Sequence, residues 1–143
     1  MVQRTHVLFV CFGNACRSPM AEAIARQDAG DVIEPASAGL YPLGEIPHLT
    51  QQTLRRNAYS PDGLFSKRIE RDAWERAEIV INLSGRAREY EFDDFDKVED
   101  WIVTDPYGAD EATYQRILED IQARIKNLAQ RLREQQQAAG RRA

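Results

Sequence analysis

Thr5-His6-Val7-Leu8-Phe9-Val10-Cys11 runs without a break into Phe12-Gly13-Asn14-Ala15-Cys16 and then Arg17-Ser18-Pro19-Met20-Ala21-Glu22-Ala23-Ile24. The first segment is short, apolar and rich in β-branched residues, the pattern of a strand buried on both faces. The second is a tight turn. In the third, Ser18 is placed to cap a helix, Pro19 suits its first turn, and Gly30 stands where it should stop. Strand, glycine turn and helix in that order predict an α/β fold with its ligand at the strand's carboxyl end.

Outward from this unit the same alternation continues. Ile33 to Leu40 predicts a second strand, broken by Pro35, and Leu40 to Pro47 reads as an ordered loop holding Pro42 and Gly44. Thr50–Asn57 and Asp72–Ala77 predict helices, and Glu78-Ile79-Val80-Ile81-Asn82-Leu83 a clear strand. Arg86 to Asp96 is highly charged and sets no firm boundary. Val98 to Val103 predicts the last strand, followed by a turn at Thr104-Asp105-Pro106-Tyr107-Gly108. From Asp110 onward, Tyr114, Ile117, Leu118, Ile121, Ile125, Leu128 and Leu132 recur at helical spacing. That stripe fits a long helix packed on the chain's own sheet, although a coiled-coil dimer would use the same spacing. Gln135 to Ala143 is polar and is expected to fray. Alternating strands and helices predict a parallel sheet with helices on both faces.

The chain's 143 residues suit a single domain spanning 1–143, and no internal repeat is visible. Hydrophobic residues make up 43% and charged residues 29%, ordinary proportions for a soluble protein. A net charge of -4 gives no reason to expect nucleic acid as a partner. No signal-peptide pattern opens the sequence, and the run from Val7 to Phe12 is too short to cross a membrane, so a cytoplasmic protein is expected. His6 and His48 are the only histidines and are not spaced for zinc, so no metal and no cofactor is expected. Cys11 and Cys16 lie five residues apart. A disulfide closing so small a loop would add little to folding stability, which leaves chemistry or two inert buried thiols.

The loop from Cys11 to Ser18 favours chemistry. A turn between a strand's end and a helix's start can aim several backbone N–H groups at one point, where the helix dipole adds positive potential. Gly13 and Asn14 tolerate the left-handed backbone angles such a cradle needs. Phe12, Gly13, Asn14, Ala15, Cys16, Arg17 and Ser18 together would then bind an oxyanion such as phosphate. Cys11, at the head of the cradle, would be held there as a thiolate. Arg17 offers a planar fork for two phosphate oxygens, and Ser18 could donate a hydrogen bond to the sulfur. Asp105 precedes Pro106, which biases it to an extended conformation. It also follows a predicted strand, so it should emerge at the same sheet edge, where a carboxylic acid could protonate a leaving oxygen. A turn-starting Asp before Pro is the plainer reading of the same residue.

These residues resemble the low-molecular-weight protein tyrosine phosphatase family. Cys11-Phe12-Gly13-Asn14-Ala15-Cys16-Arg17-Ser18-Pro19, with Met20-Ala21-Glu22, is similar to its signature loop; Ser37-Ala38-Gly39 resembles its second-strand motif and Asp105-Pro106-Tyr107 its acid loop. The likeness runs in order and spacing from about residue 5 to residue 133. It implies a three-layer sandwich with a four-stranded parallel sheet, and a metal-free hydrolysis through phosphocysteine. Cys11, Arg17 and Asp105 would be catalytic, and Asn14 and Ser37 would shape the cradle.

The sequence also departs from the family. His48 follows Pro47 where many members have Asp, Phe65-Ser66-Lys67-Arg68 stands near where many have a His before a basic pair, and Gly108 follows Tyr107 where animal members have a second Tyr. These changes leave the chemistry intact and the substrate preference open. Tyr41 and Tyr107 are candidate walls for a phosphorylated ring. In the family, Thr at the position of Ala15 resembles a mark of phosphoarginine phosphatases, and bulkier aliphatics accompany phosphotyrosine. Ala15 has no hydroxyl, so a phosphotyrosine protein is the expected partner, with the chain a monomer or weak homodimer. Three alternatives stay open: a phosphoarginine phosphatase, a binding module without turnover, and an arsenate reductase. The last needs relay cysteines, and Ser84 stands about where one of them would lie. Cys11 and Cys16 could also form a reversible disulfide under oxidation.

Overall fold

A computed structural model describes residues 3–142. Four strands, β1 (Thr5–Cys11), β2 (Ile33–Gly39), β3 (Ile79–Asn82) and β4 (Val98–Asp100), form one parallel sheet in the order β2-β1-β3-β4. The helices are α1 (Arg17–Asp28), α2 (His48–Arg56), α3 (Arg71–Arg76), α4 (Arg88–Glu91) and α5 (Glu111–Arg142), with a 3-10 turn at Phe95–Lys97. The chain moves from β1 to one side for β2 and then to the other for β3, so the sheet's switch point lies beside β1.

Register lines up the strand ends. Cys11 pairs with Gly39, Val10 with Asn82, and Asn82 with Asp100. The loops after all four strands therefore leave from one edge. Val7 to Cys11 are all buried, as a strand covered on both faces requires. One face carries the larger core, in which Phe9, Ile81 and Trp101 meet Met20 and Ile24 of α1 and Tyr114, Leu118, Ile121 and Ile125 of α5. The other holds a smaller cluster of Leu8, Val10, Val80, Phe92 and Val98, with Trp74 of α3 packed against it.

The fold is the expected one, with local differences that have physical causes. β2 is not broken at Pro35; it is an edge strand, where a missing N–H need not cost a ladder bond. β4 ends at Asp100 rather than Val103, because past Trp101, whose N–H still donates to the Asn82 carbonyl, the Ile102 and Val103 carbonyls turn to Arg124 and Arg17 instead of β3. The apolar stripe of α5 is buried within the chain's own core, and residues 135–142, expected to fray, continue that helix. Ala143 lies outside the described residues. Ser18 does not cap α1: Cys16 holds that position, and the Ser18 hydroxyl is drawn toward Cys11. Gly30 follows the helix end as expected, and a Cβ there would sit 2.7 Å from the Arg26 carbonyl oxygen.

Candidate active site

Between β1 and α1 the chain curls into a cradle held from outside. The carbonyls of Cys11, Phe12 and Gly13 accept from the N–H groups of Leu40, Tyr41 and Leu43 at 3.1, 2.8 and 2.9 Å. With these oxygens turned outward, the intervening N–H groups are left to face inward, toward the start of α1. The residue that takes the left-handed conformation is Asn14, at φ 47°; Gly13 does not, contrary to the sequence reading. Glycine matters instead at Gly39, where a Cβ would lie 2.7 Å from the Asn14 nitrogen. The end of β2 thus touches the cradle's backbone directly.

The Cys11 sulfur lies 2.9 Å from the Ser18 hydroxyl, which is also 3.3 Å from the Ala38 carbonyl oxygen. Ser18 has one proton and two acceptors in reach. A thiolate takes the proton, whereas a thiol would donate its own and leave the serine to bond Ala38. Asn14 Nδ2 donates to Ser18 at 2.8 Å and to Ser37 at 3.1 Å, and Asn14 Oδ1 accepts from the Lys67 N–H at 2.9 Å.

Arg17 is 5% exposed, and its Nη1 donates to the carbonyls of Leu83 and Val103 at 2.6 and 3.2 Å. Nη2 stands 3.6 Å from Asp105 Oδ2, and Nε is buried with no hydrogen-bond partner among the described residues. One edge of the guanidinium is therefore pinned by the loops after β3 and β4. The Nε–Nη2 edge remains for a planar, bidentate oxyanion contact.

Asp105 divides its two carboxylate oxygens between two contacts. Oδ1 accepts from the Tyr107 N–H at 3.1 Å and shapes the turn, while Oδ2 faces Arg17. A pocket of about 220 Å³ brings together Cys11, Phe12, Gly13, Ala15, Cys16, Arg17, Tyr41, Asp105 and Tyr107, with Leu43, which the sequence did not single out. Cys11 is only 2% exposed and is reached through this pocket. Tyr41 and Tyr107 are 59% and 58% exposed at its mouth, and Phe12 packs on Tyr41 with ring centroids 5.1 Å apart. Cys16 contacts the Tyr114 hydroxyl at 3.4 Å, and burial pushes its thiol above the usual range. A groove of about 670 Å³ on the other side, lined by Trp74, Phe92 and charged residues, contains no cysteine.

Residues 6–138 match the family described as low molecular weight phosphotyrosine protein phosphatase. The chain belongs to this family. A low molecular weight protein-tyrosine-phosphatase PtpA of Staphylococcus epidermidis is 33% identical over 141 residues, covering 86% of this chain and 90% of that protein. Arsenate reductase 1 of Bacillus cereus is 32% identical over 132 residues, covering 91% and 98%. Among solved structures, the YwlE arginine phosphatase from Geobacillus stearothermophilus superposes with a TM-score of 0.84 at 23% identity, covering 94% of this chain and 96% of that one. The family scaffold thus carries phosphatases and arsenate reductases alike. No helix among the described residues is long and apolar enough to cross a membrane.

Proposed function

We propose that this chain is a cytoplasmic protein tyrosine phosphatase that works through a phosphocysteine on Cys11. In the first step the Cys11 thiolate attacks phosphorus, the bond to the phenolic oxygen breaks, and Asp105 gives that oxygen its proton. In the second, water loses a proton to Asp105 and attacks phosphorus, and the phosphorus–sulfur bond breaks with its electron pair returning to sulfur. Arg17 follows the equatorial oxygens through both steps. Ser18 donates to the departing sulfur. Tyr41 and Tyr107 flank the phosphorylated ring.

The observation that carries this reading is the Arg17 fork. Its Nη1 is anchored on two carbonyls, its Nε is buried and unpartnered among the described residues, and Cys11 and Asp105 line the same pocket. A protein that only bound phosphate would have no use for a nucleophile and an acid at the two ends of one site. The arsenate reductase reading has a 32% identical relative behind it. Against it, Cys11 and Cys16 are the only cysteines, both in the cradle, and Ser84 Oγ is bonded to Asn82 Oδ1 at 2.6 Å. A disulfide relay leading away from Cys11 and Cys16 has no third thiol on this chain.

The test is turnover of para-nitrophenyl phosphate by the wild type and by Cys11→Ser, then kcat/KM on phosphotyrosine and phosphoarginine peptides. Wild type should turn over and prefer phosphotyrosine. Cys11→Ser should lose turnover while still binding vanadate, because the cradle's donors are mostly backbone. Retained turnover in Cys11→Ser refutes the nucleophile, and a clear preference for phosphoarginine refutes the substrate.

A further inference from the structure

Glu22 is a carboxylate on α1 that is only 6% exposed. It is not among the residues that line the pocket, and the two-step reaction gives it no part. Its Oε2 is paired with Arg26, which lies half in solvent, and its Oε1 accepts from the Ser37 hydroxyl at 2.5 Å. An inward-facing carboxylate on the first helix invites the question of what it orders.

The directions of the hydrogen bonds around it are fixed by chemistry. A carboxylate only accepts, so the Ser37 proton is committed to Glu22, and the Ser37 oxygen can meet Asn14 only as an acceptor. The Lys67 backbone N–H only donates, so Oδ1 of the Asn14 side chain must face it. Both N–H bonds of the Asn14 amide are then directed, one to Ser37 and one to Ser18. With a lone pair of Ser18 occupied by Asn14, the serine proton is free for the Cys11 sulfur 2.9 Å away. The hydrogen bonds run from the Glu22 carboxylate at one end to the Cys11 sulfur at the other, and the Asn14 amide donates toward both ends. Asn14 is also the cradle residue in the left-handed conformation, so its side chain and its backbone are held by one set of contacts.

We propose that Glu22 is a positioning residue for the nucleophile: by fixing the Ser37 hydroxyl as a donor it locks the Asn14 amide, and through Asn14 it directs the Ser18 proton onto the Cys11 sulfur. This inference rests on the phosphocysteine reading. The step it serves is the second, in which the phosphorus–sulfur bond breaks and the electron pair returns to sulfur. Replacing Glu22 with Gln keeps the shape but leaves Arg26 facing the amide oxygen and an N–H facing Ser37. Ser37 then receives an N–H from each side, its own proton loses its acceptor, and its grip on Asn14 loosens.

The experiment is a double-mutant cycle on para-nitrophenyl phosphate, whose acidic leaving group lets hydrolysis of the phosphoenzyme limit the rate. Glu22→Gln should lower kcat by about three- to tenfold, the scale of one hydrogen bond, with KM falling in step. Inhibition by inorganic phosphate should change by less than about twofold. The same substitution in a Ser18→Ala background should cost nothing further, because the route to sulfur is already cut. Ser37→Ala, which retains the Glu22–Arg26 pair, should show the same loss and the same disappearance. An equal loss in both backgrounds, or no loss in either, overturns the proposal. Turnover surviving Cys11→Ser would instead overturn the phosphocysteine reading, so the two failures are told apart by separate proteins.

Discussion

Asp105 divides its two oxygens between holding its own turn and facing Arg17, and that division makes its role separable by experiment. An amide in its place keeps an acceptor for the Tyr107 N–H but has no proton to give a leaving oxygen. Asp105→Asn should therefore lower kcat by ~10²–10⁴ on phosphate esters of weakly acidic alcohols and phenols, the usual range for general acid catalysis. The loss should shrink as the leaving phenol becomes acidic enough to depart unprotonated. An equal loss across such a series would assign Asp105 a structural role only. Cys16 poses a different question, because both cysteines line one pocket and both are free thiols. Peroxide entering the pocket would convert Cys11 to a sulfenic acid, and condensation with the Cys16 thiol would release water and form a disulfide. Burial pushes the Cys16 thiol above its usual range, which favours the protonated form over the thiolate. After peroxide and then dithiothreitol, wild type should recover most of its activity and Cys16→Ser much less; equal recovery would leave Cys16 a packing role beside Tyr114.

Elements decide which residues meet, and this is where the sequence was most and least legible. Cys11 and Arg17 were readable together because strand end, turn and helix start are contiguous, and Asp105-Pro106 because it follows a strand that had to end on the same edge. Gly39 carries a motif resemblance but no local sign that its α-carbon must sit against the Asn14 nitrogen; that follows only from the β1–β2 register. Glu22 reads as an ordinary helix glutamate until Ser37, fifteen residues on, is brought beside it. The Leu83 and Val103 carbonyls that pin Arg17 are backbone groups, which no side-chain pattern reveals. Val98 to Val103 reads as one strand because an apolar run does not show where its backbone bonds go: the Trp101 N–H still donates to Asn82 of β3, while the Ile102 and Val103 carbonyls accept from Arg124 and Arg17. The Gly39 contact gives an element-scale expectation: Gly39→Ala must push the cradle away from β2. We expect a stability loss of about 1–3 kcal/mol, typical of overpacking, together with weaker inhibition by inorganic phosphate. Unchanged phosphate inhibition would show that the cradle and the β2 end move independently.

For the molecule as a whole, the long C-terminal helix separates what the site needs from what it does not. At its start, α5 reaches the site: Glu111 pairs with Arg56 of α2 at 3.1 Å, and the buried Tyr114 contacts Cys16. Along its middle, Leu118, Ile121, Ile125 and Leu128 sit in the core facing α1 and the sheet. Leu132 is the last buried apolar residue of that stripe. Arg133 then forms an exposed ion pair with Asp31 at 2.8 Å, and Gln136 bonds the Gln3 carbonyl at 2.5 Å. Exposed pairs of this kind contribute about 0–1 kcal/mol, since solvent screens the charges and two long side chains must be ordered. A chain ending after Arg133 loses no buried apolar group among those described, so it should unfold in urea within about 1 kcal/mol of the full chain and turn over substrate at the same rate. Ile125→Ala in the full-length protein removes buried methyl groups from the core and should cost about 2–5 kcal/mol. If the truncation instead costs as much as the core substitution, the last two turns of α5 are part of the folding unit, and the boundary of the domain lies beyond Arg133.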